Sequence, residues 1–215
     1  MPISPGDNYL YLKDLLSKNS GAYVAPKEYE RYGNIASNEM FDDFLGRKTN
    51  PRIVVGKNRL VDTRLLPFKK KVNLSFSGEV LTKPENCAYI SAVYTTSGKI
   101  PVKPLDDDRQ ARIFEDPLAS PNDEDKYYVE GYEELTLLGE DSLAVTVEYY
   151  ERPTPMVYAY TEVSGRPVYN DAGSTYYQWD KSEESELTSR ILEKASLSMR
   201  DVLQLQTANN KINQE

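Results

Sequence analysis

Three places in the sequence gather side chains that could do chemistry. Asp106, Asp107 and Asp108, with Glu115 and Asp116 nearby, form the densest acidic cluster. A calcium loop spaces its oxygen ligands alternately, turns on a glycine and closes with a distal glutamate. Here the three aspartates are consecutive and Arg109 follows, so the calcium pattern fails and the cluster reads as a solvated or arginine-paired loop. Lys69, Lys70 and Lys71 make the only basic run. Three lysines can contact phosphate, but these directly precede a hydrophobic strand, where cations guard against edge pairing. Cys87, the single cysteine, sits beside an expected strand start and reads as a small buried residue.

The chain contains no histidine. That removes the usual general base near neutral pH and the commonest metal ligand, and with them a Ser-His-Asp triad, a Cys-His pair and the histidine zinc sites. What is left for an enzyme is carboxylate, lysine or tyrosine chemistry. Glycoside hydrolysis needs only two carboxylates at the right separation, but 34 acidic residues supply some such pair by default. The single tryptophan, Trp179, offers little of an aromatic platform for sugars. No glycine-rich phosphate loop, Walker motif or CxxC pair is present. The expectation is a chain with no catalytic, metal or cofactor residues.

These groups must be held by a chain of 215 residues with a net charge of −8. A domain of about 150 residues already buries about two thirds of its unfolded surface, so no staple is required, and one cysteine cannot pair within the chain. The acidic balance argues against the basic footprint of a nucleic-acid binder. The opening MPISPGDNYLYLKD shows no signal peptide, and no apolar run approaches the roughly 20 residues that span a bilayer. A soluble protein made in a cytoplasm is expected. Seventeen tyrosines against five phenylalanines suit either wet contact surfaces or the half-buried strands of a sheet.

Residues 7–18 predict a helix capped by Asp7 or Asn8, with Leu12, Leu15 and Leu16 on one face. A second helix is predicted over 26–45, with Pro26 in its first turn and Gly46 as its stop. Its apolar residues are Tyr29, Tyr32, Ala36, Met40, Phe41 and Phe44, and Gly33 within it, costing about 1 kcal/mol relative to alanine, implies a close helix crossing. Residues 50–68 read as extended and turn-rich. Val72, Leu74 and Phe76 alternate with Asn73 and Ser75, the period of a half-buried strand. Further strands are predicted at 88–95, 127–138 and 143–150, with weaker ones at 156–163 and 174–179. The proline-bounded stretch 101–125 reads as an irregular loop or arm. Asp180 or Ser182 caps a last helix bearing Leu187, Ile191, Leu192 and Ala195, and a further segment from Ser198 carries Val202, Leu203 and Leu205.

Helices, then strands, then helices predict an α+β fold, with a central antiparallel β sheet or small barrel and the N-terminal and C-terminal helices packed together. The expected organisation is a helical segment over 1–50, a β-rich domain over 51–179 and C-terminal helices over 180–215, the two helical parts forming one unit.

Several segments carry a likeness. Tyr23-Val24-Ala25-Pro26-Lys27-Glu28-Tyr29, with Asn34-Ile35-Ala36 and Met40-Phe41, resembles the opening helix of the connector or ring-type structural proteins of tailed bacteriophages, especially crAss-like and related phages of Bacteroidota. Asp62 with Leu65-Leu66-Pro67-Phe68 resembles that group's linker into its β region. Val102, Lys103, Asp106 to Arg109, Arg112, Pro117-Leu118 and Pro121 are similar in style to its central loop. Tyr149-Tyr150-Glu151-Arg152-Pro153 resembles the strand ending after its sheet. Arg190-Ile191-Leu192 to Leu197, Arg200-Asp201 and Leu205-Gln206 resemble its closing element, which usually has glycine where this chain has Ser196.

The resemblance spans nearly the whole chain through short motifs in order. It implies a virion protein, synthesised in the host cytoplasm, that self-associates in a ring, twelve-fold in that group, between portal and tail. Portal protein and other neck or tail proteins are the implied partners; DNA passes through without specific binding, and no membrane is involved. The family has no catalytic residues to carry over. The residues expected at the interface are Leu187, Ile191, Leu192, Ala195, Val202, Leu203 and Leu205, the last helix docking on a neighbouring ring such as the portal. The rival readings are a capsid decoration or fibre-anchor protein, a β-rich carbohydrate- or surface-binding module, and a carboxylate enzyme with two acids in a deep pocket.

Overall fold

The computed structural model describes residues 1–19, 23–49, 63–105, 109, 121, 125–139 and 142–196. The chain divides into two units, one formed by Met1–Pro67 with Pro153–Glu215 and the other by Phe68–Arg152. The division therefore falls at 152/153 rather than at 179/180, and residues 153–179 belong with the helices.

The helical unit begins with a two-residue strand, β1 (Pro2–Ile3), and helix α1 (Pro5–Asn19). The helix starts three residues earlier than a cap at Asp7 would allow. Ser4 precedes it, its Oγ accepting from the Asp7 N–H at 3.4 Å, and Pro5 takes the first helical position, where a missing N–H costs nothing. Asn8 is then free to turn inward, and it is fully buried. Helix α2 (Pro26–Thr49) starts where expected, and Glu28 reaches back to accept from the Ala25 N–H at 3.1 Å, half of a capping box. Tyr29, Tyr32, Ala36, Met40, Phe41 and Phe44 all lie in the core. Gly46 does not end the helix, which continues to Thr49. Nothing crowds Gly46, so only its modest propensity cost opposes continuation.

The C-terminal helix α3 runs over 184–196, entered through a 3-10 turn, Lys181–Glu183, capped by Asp180, whose side chain accepts from the Ser182 N–H. It packs with the N-terminal helices as expected: Asn8 donates to Thr188 at 2.7 Å, and Arg190 and Lys194 form ion pairs with Asp43 and Glu39. Two small antiparallel pairs complete this unit. Strand β11 (Tyr177–Asp180) pairs with β1, and β9 (Tyr160–Val163) pairs with β10 (Arg166–Tyr169).

The second unit is a seven-stranded mixed sheet, curled into a nearly closed barrel, in the order β2-β8-β4-β5-β6-β7-β3. The strands are β2 (Lys69–Ser75), β3 (Val80–Thr82), β4 (Cys87–Thr95), β5 (Pro101–Leu105), β6 (Lys126–Glu130), β7 (Glu134–Leu138) and β8 (Ala144–Glu151). Alternate residues point inward, and Val93, Val102, Tyr128, Leu135, Leu137, Val145 and Val147 fill the interior with Phe76, Leu81 and Ile90. The α+β class thus holds, with one departure from a wholly antiparallel sheet, since β5 and β6 run parallel. Two local expectations are corrected. Residues 127–138 form two strands, β6 and β7, joined at a turn where the Gly131 N–H donates to the Glu134 carbonyl. The 101–125 stretch opens with the regular strand β5, paired on both sides; of the rest, only Arg109, Pro121 and Asp125 lie among the described residues.

Candidate functional site

The expected interface stripe on α3 is turned inward. Leu187 and Ile191 are fully buried and Ala195 nearly so, within the helical unit's own core, while Leu192 is half-buried. The first three cannot serve a neighbour while the unit is folded. Val202, Leu203 and Leu205 lie outside the described residues, as does the aspartate cluster at 106–108 with Glu115 and Asp116.

At the centre of the helical unit a relay of hydroxyl and amide groups ties its elements together. Tyr177 Oη donates to Tyr29 Oη at 3.4 Å, Tyr29 to Asn8 Oδ1 at 2.9 Å, Asn8 Nδ2 to Thr188 Oγ1 at 2.7 Å, and Thr188 to the Glu184 carbonyl at 2.7 Å. One polar chain thus links β11, α2, α1 and α3. Tyr158 packs edge-on against Tyr9 and Tyr29, with ring centroids 5.0 Å and 5.6 Å away. Burial pushes the phenols of Tyr29 and Tyr177 well up from their ordinary value and that of Tyr158 up to about 12. Charged phenolate is disfavoured there, so these tyrosines act as neutral donors and packing rings. Trp179, fully buried, donates from Nε1 to Ser37 Oγ at 2.8 Å, which makes it a core residue rather than a sugar platform.

A cleft of about 580 Å³ in this unit is lined by Arg64, Leu66, Pro67, Asp180, Ser182 and Glu183 among others. Its charges are already matched. Arg64 bridges Glu183 at 3.3 Å and Glu186 at 3.4 Å, and Asp180 accepts from the Met1 amino group at 2.7 Å, which holds the Asp180 carboxyl down at about 2.

Among the described residues of the helical unit, the most exposed regular structure is the β9–β10 ribbon. Its two-residue loop, Ser164-Gly165, has positive φ at both positions (53° and 75°), the turn that matches the twist of a hairpin. From Thr161 to Val168 every residue is exposed, so neither face of the ribbon is covered. The weak strand expected at 156–163 touched only its first arm. The Ser-Gly pair was the available signal for the second.

In the barrel, Lys69, Lys70 and Lys71 lie within β2 rather than ahead of it, in register with Tyr150, Tyr149 and Glu148 of β8. β2 is one end of the strand order, so the lysines do sit on an edge. Lys69 and Lys71 share Glu148 at 2.8 Å and 3.7 Å, and Lys70 reaches Glu151 at 3.9 Å. Hydrogen bonding from Lys69 lowers the Glu148 carboxyl, the direction opposite to a general acid. Lys71 Nζ also lies 4.9 Å from the centre of the Tyr94 ring, whose hydroxyl donates to Glu148. Cys87 is half-buried and burial raises its thiol, which makes it a poor nucleophile.

A second cleft, of about 520 Å³, lies in the barrel unit between the Thr82–Ala88 segment and the Tyr132-Glu133 turn, with Arg152 on its wall. Tyr132 stands 95% exposed beside it. Among the described residues no group of three or more Cys, Asp or Glu side chains could hold a metal ion, and no helix is long and apolar enough to cross a membrane.

No protein-family model matches the chain, and no curated protein does.

Proposed function

We propose that the chain is a structural virion protein, a subunit of a connector ring between the portal and tail of a tailed phage, which joins neighbouring rings and lets DNA pass. The observation that carries this reading is the uncovered β9–β10 ribbon in a chain whose β2 edge also has no strand partner among the described residues. Rings are built by heterologous contacts between unlike surfaces of one subunit, and two unlike β surfaces meet that requirement. The ordered motifs that resemble ring-type phage proteins point the same way. A net charge of −8 suits a channel wall that does not capture passing phosphates. Electron microscopy of the purified virion, with an antibody or a fused density tag on this chain, tests the reading. Label confined to the neck supports it. Label on the capsid faces or at fibre bases replaces it with a decoration or fibre-anchor role.

One observation favours a second reading, a β-rich carbohydrate- or surface-binding module. Tyr132 at the lip of the barrel cleft, beside Asn86, Glu85 and Glu133, combines an exposed aromatic ring with polar groups able to bond hydroxyls. Host surface glycans that bind the wild-type chain but not Tyr132→Ala would move the assignment to that class.

A further inference from the structure

The barrel fails to close along one seam. β2 has seven residues and β3, at the other end of the strand order, has three. They are joined by a tight turn with positive φ at Gly78 and Glu79, and one bridge, Ser77↔Val80, connects them. From Lys69 to Ser75 the outer edge of β2 has no strand partner among the described residues. Val72 and Leu74 face the barrel core from this strand and remain only half-buried. An unpaired edge with half-covered core residues is a template for another strand.

The ribbon offers a strand of matching kind, and on one side only. With a two-residue loop, Val163 and Arg166 form a hydrogen-bonded pair, so the next pair, Glu162 and Pro167, directs its backbone groups outward. Pro167 has no N–H, which blunts the outer edge of β10. Glu162 keeps both outward groups, so the outer edge of β9 is open. β9 has four residues and fits within the seven of β2, Lys69–Ser75, whose outer edge has no strand partner among the described residues. Charge agrees as well: three lysines on β2 face two carboxylates, Glu148 and Glu151, leaving one positive charge, and Glu162 brings one negative charge. A β9-to-β9 pairing would instead bring two copies of Glu162 together.

We infer that β9 of one subunit adds to the β2 edge of the barrel in a second copy of this chain. The contact joins two different surfaces, so it propagates from copy to copy and closes into a ring or extends as a filament. It rests on the connector reading and names that assembly's subunit contact.

The test is cross-linking of the full chain in a Cys87→Ser background. Protein carrying Glu162→Cys is mixed with protein carrying Lys70→Cys or, separately, Lys71→Cys, and oxidised mildly. Neighbouring residues on a strand point to opposite faces, so a disulfide is expected in one of the two mixtures and not in the other. Glu162→Pro, which removes the outward N–H and leaves the ribbon's own bonds in place, is expected to abolish association of the otherwise wild-type chain. No dimer band in either mixture overturns the inference, as does equal reaction in both or a band from Glu162→Cys protein alone. The two proposals fail separately. A neck ring seen in virions without the cross-link removes the strand contact alone, and a specific cross-link in a protein located away from the neck removes the connector reading alone.

Discussion

The hydroxyl of Tyr177 occupies the space that a side chain at position 33 would fill, directly against the backbone of Gly33 in α2. The close approach that this glycine permits is thus to a strand tyrosine and not to a crossing helix. Tyr177 is itself fully buried and hydrogen-bonded to Tyr29, so it has nowhere to move.

Gly33→Ala should therefore destabilise the helical unit even though alanine is the better helix former. The propensity gain of about 1 kcal/mol is set against overpacking, which costs about 1–3 kcal/mol in a filled core. The contact is with a buried hydroxyl oxygen bonded to Tyr29, so the balance falls on the side of a net loss, up to about 2 kcal/mol. Tyr177→Phe in the Gly33→Ala background should recover part of it. Chemical denaturation followed by far-UV circular dichroism measures both, and an unchanged midpoint for Gly33→Ala would contradict the packing described.

Asn8 joins three helices, and its loss should be felt beyond one bond. Asn8→Ala leaves the buried Tyr29 hydroxyl without its acceptor, a penalty of about 1–3 kcal/mol. Thr188 keeps its bond to the Glu184 carbonyl, so the damage concentrates on the α1–α2 side of the relay. Asn8→Ala combined with Tyr29→Phe should cost less than the sum of the two single changes. Additive losses in this double-mutant cycle would show that the relay is not coupled.

The stripe that α2 buries was legible because six apolar residues recur at helical spacing, and the barrel strands at 72–76 and 143–150 because they alternate. Other parts were hidden for identifiable reasons. Gly131-Tyr132-Glu133 holds none of the usual two-residue hairpin pairs, so β6 and β7 read as one strand. Pro101 and Pro104 argued against β5, yet the strand forms between two partners. The α3 residues show the deeper limit. Leu187, Ile191 and Ala195 have the same spacing whether they face a neighbour or their own core, and periodicity cannot distinguish the two. The ribbon and the β2 edge depend on which strands go unpaired, which is a property of the whole topology.

High pH should unfold the helical unit through its tyrosines. In an unfolded chain a phenol ionises near 10.0, and in this core burial raises Tyr29, Tyr177 and Tyr158, the last to about 12. A group whose folded value is raised contributes stability that is complete below the unfolded value and is lost as pH rises toward the folded one. Stability should accordingly be flat up to about pH 10 and fall between 10 and 12, with tyrosinate absorbance rising together with loss of helix. Tyr158→Phe removes one titration and leaves the relay intact, so it should shift the alkaline transition upward. A transition that does not move would place its cause elsewhere.

Truncation after Asp180 tests the folding of the helical unit rather than docking. It deletes α3 and with it the buried Leu187, Thr188, Ile191 and Ala195. Replacing a single buried leucine or isoleucine by alanine costs about 2–5 kcal/mol, and a domain has only about 5–15 kcal/mol to lose. The helical unit should thus collapse in the truncated chain, while Phe68–Arg152, which carries its own core cluster, keeps its strands. Circular dichroism should report lost helix and retained sheet, and limited proteolysis should leave a fragment close to 68–152. Failure of such a chain to assemble would then reflect an unfolded ribbon carrier, which is why point changes at Glu162 and on β2 give the cleaner reading of the interface. A truncated chain that keeps α1 and α2 intact would show that α3 is dispensable to the core, and would reopen its buried face to a partner.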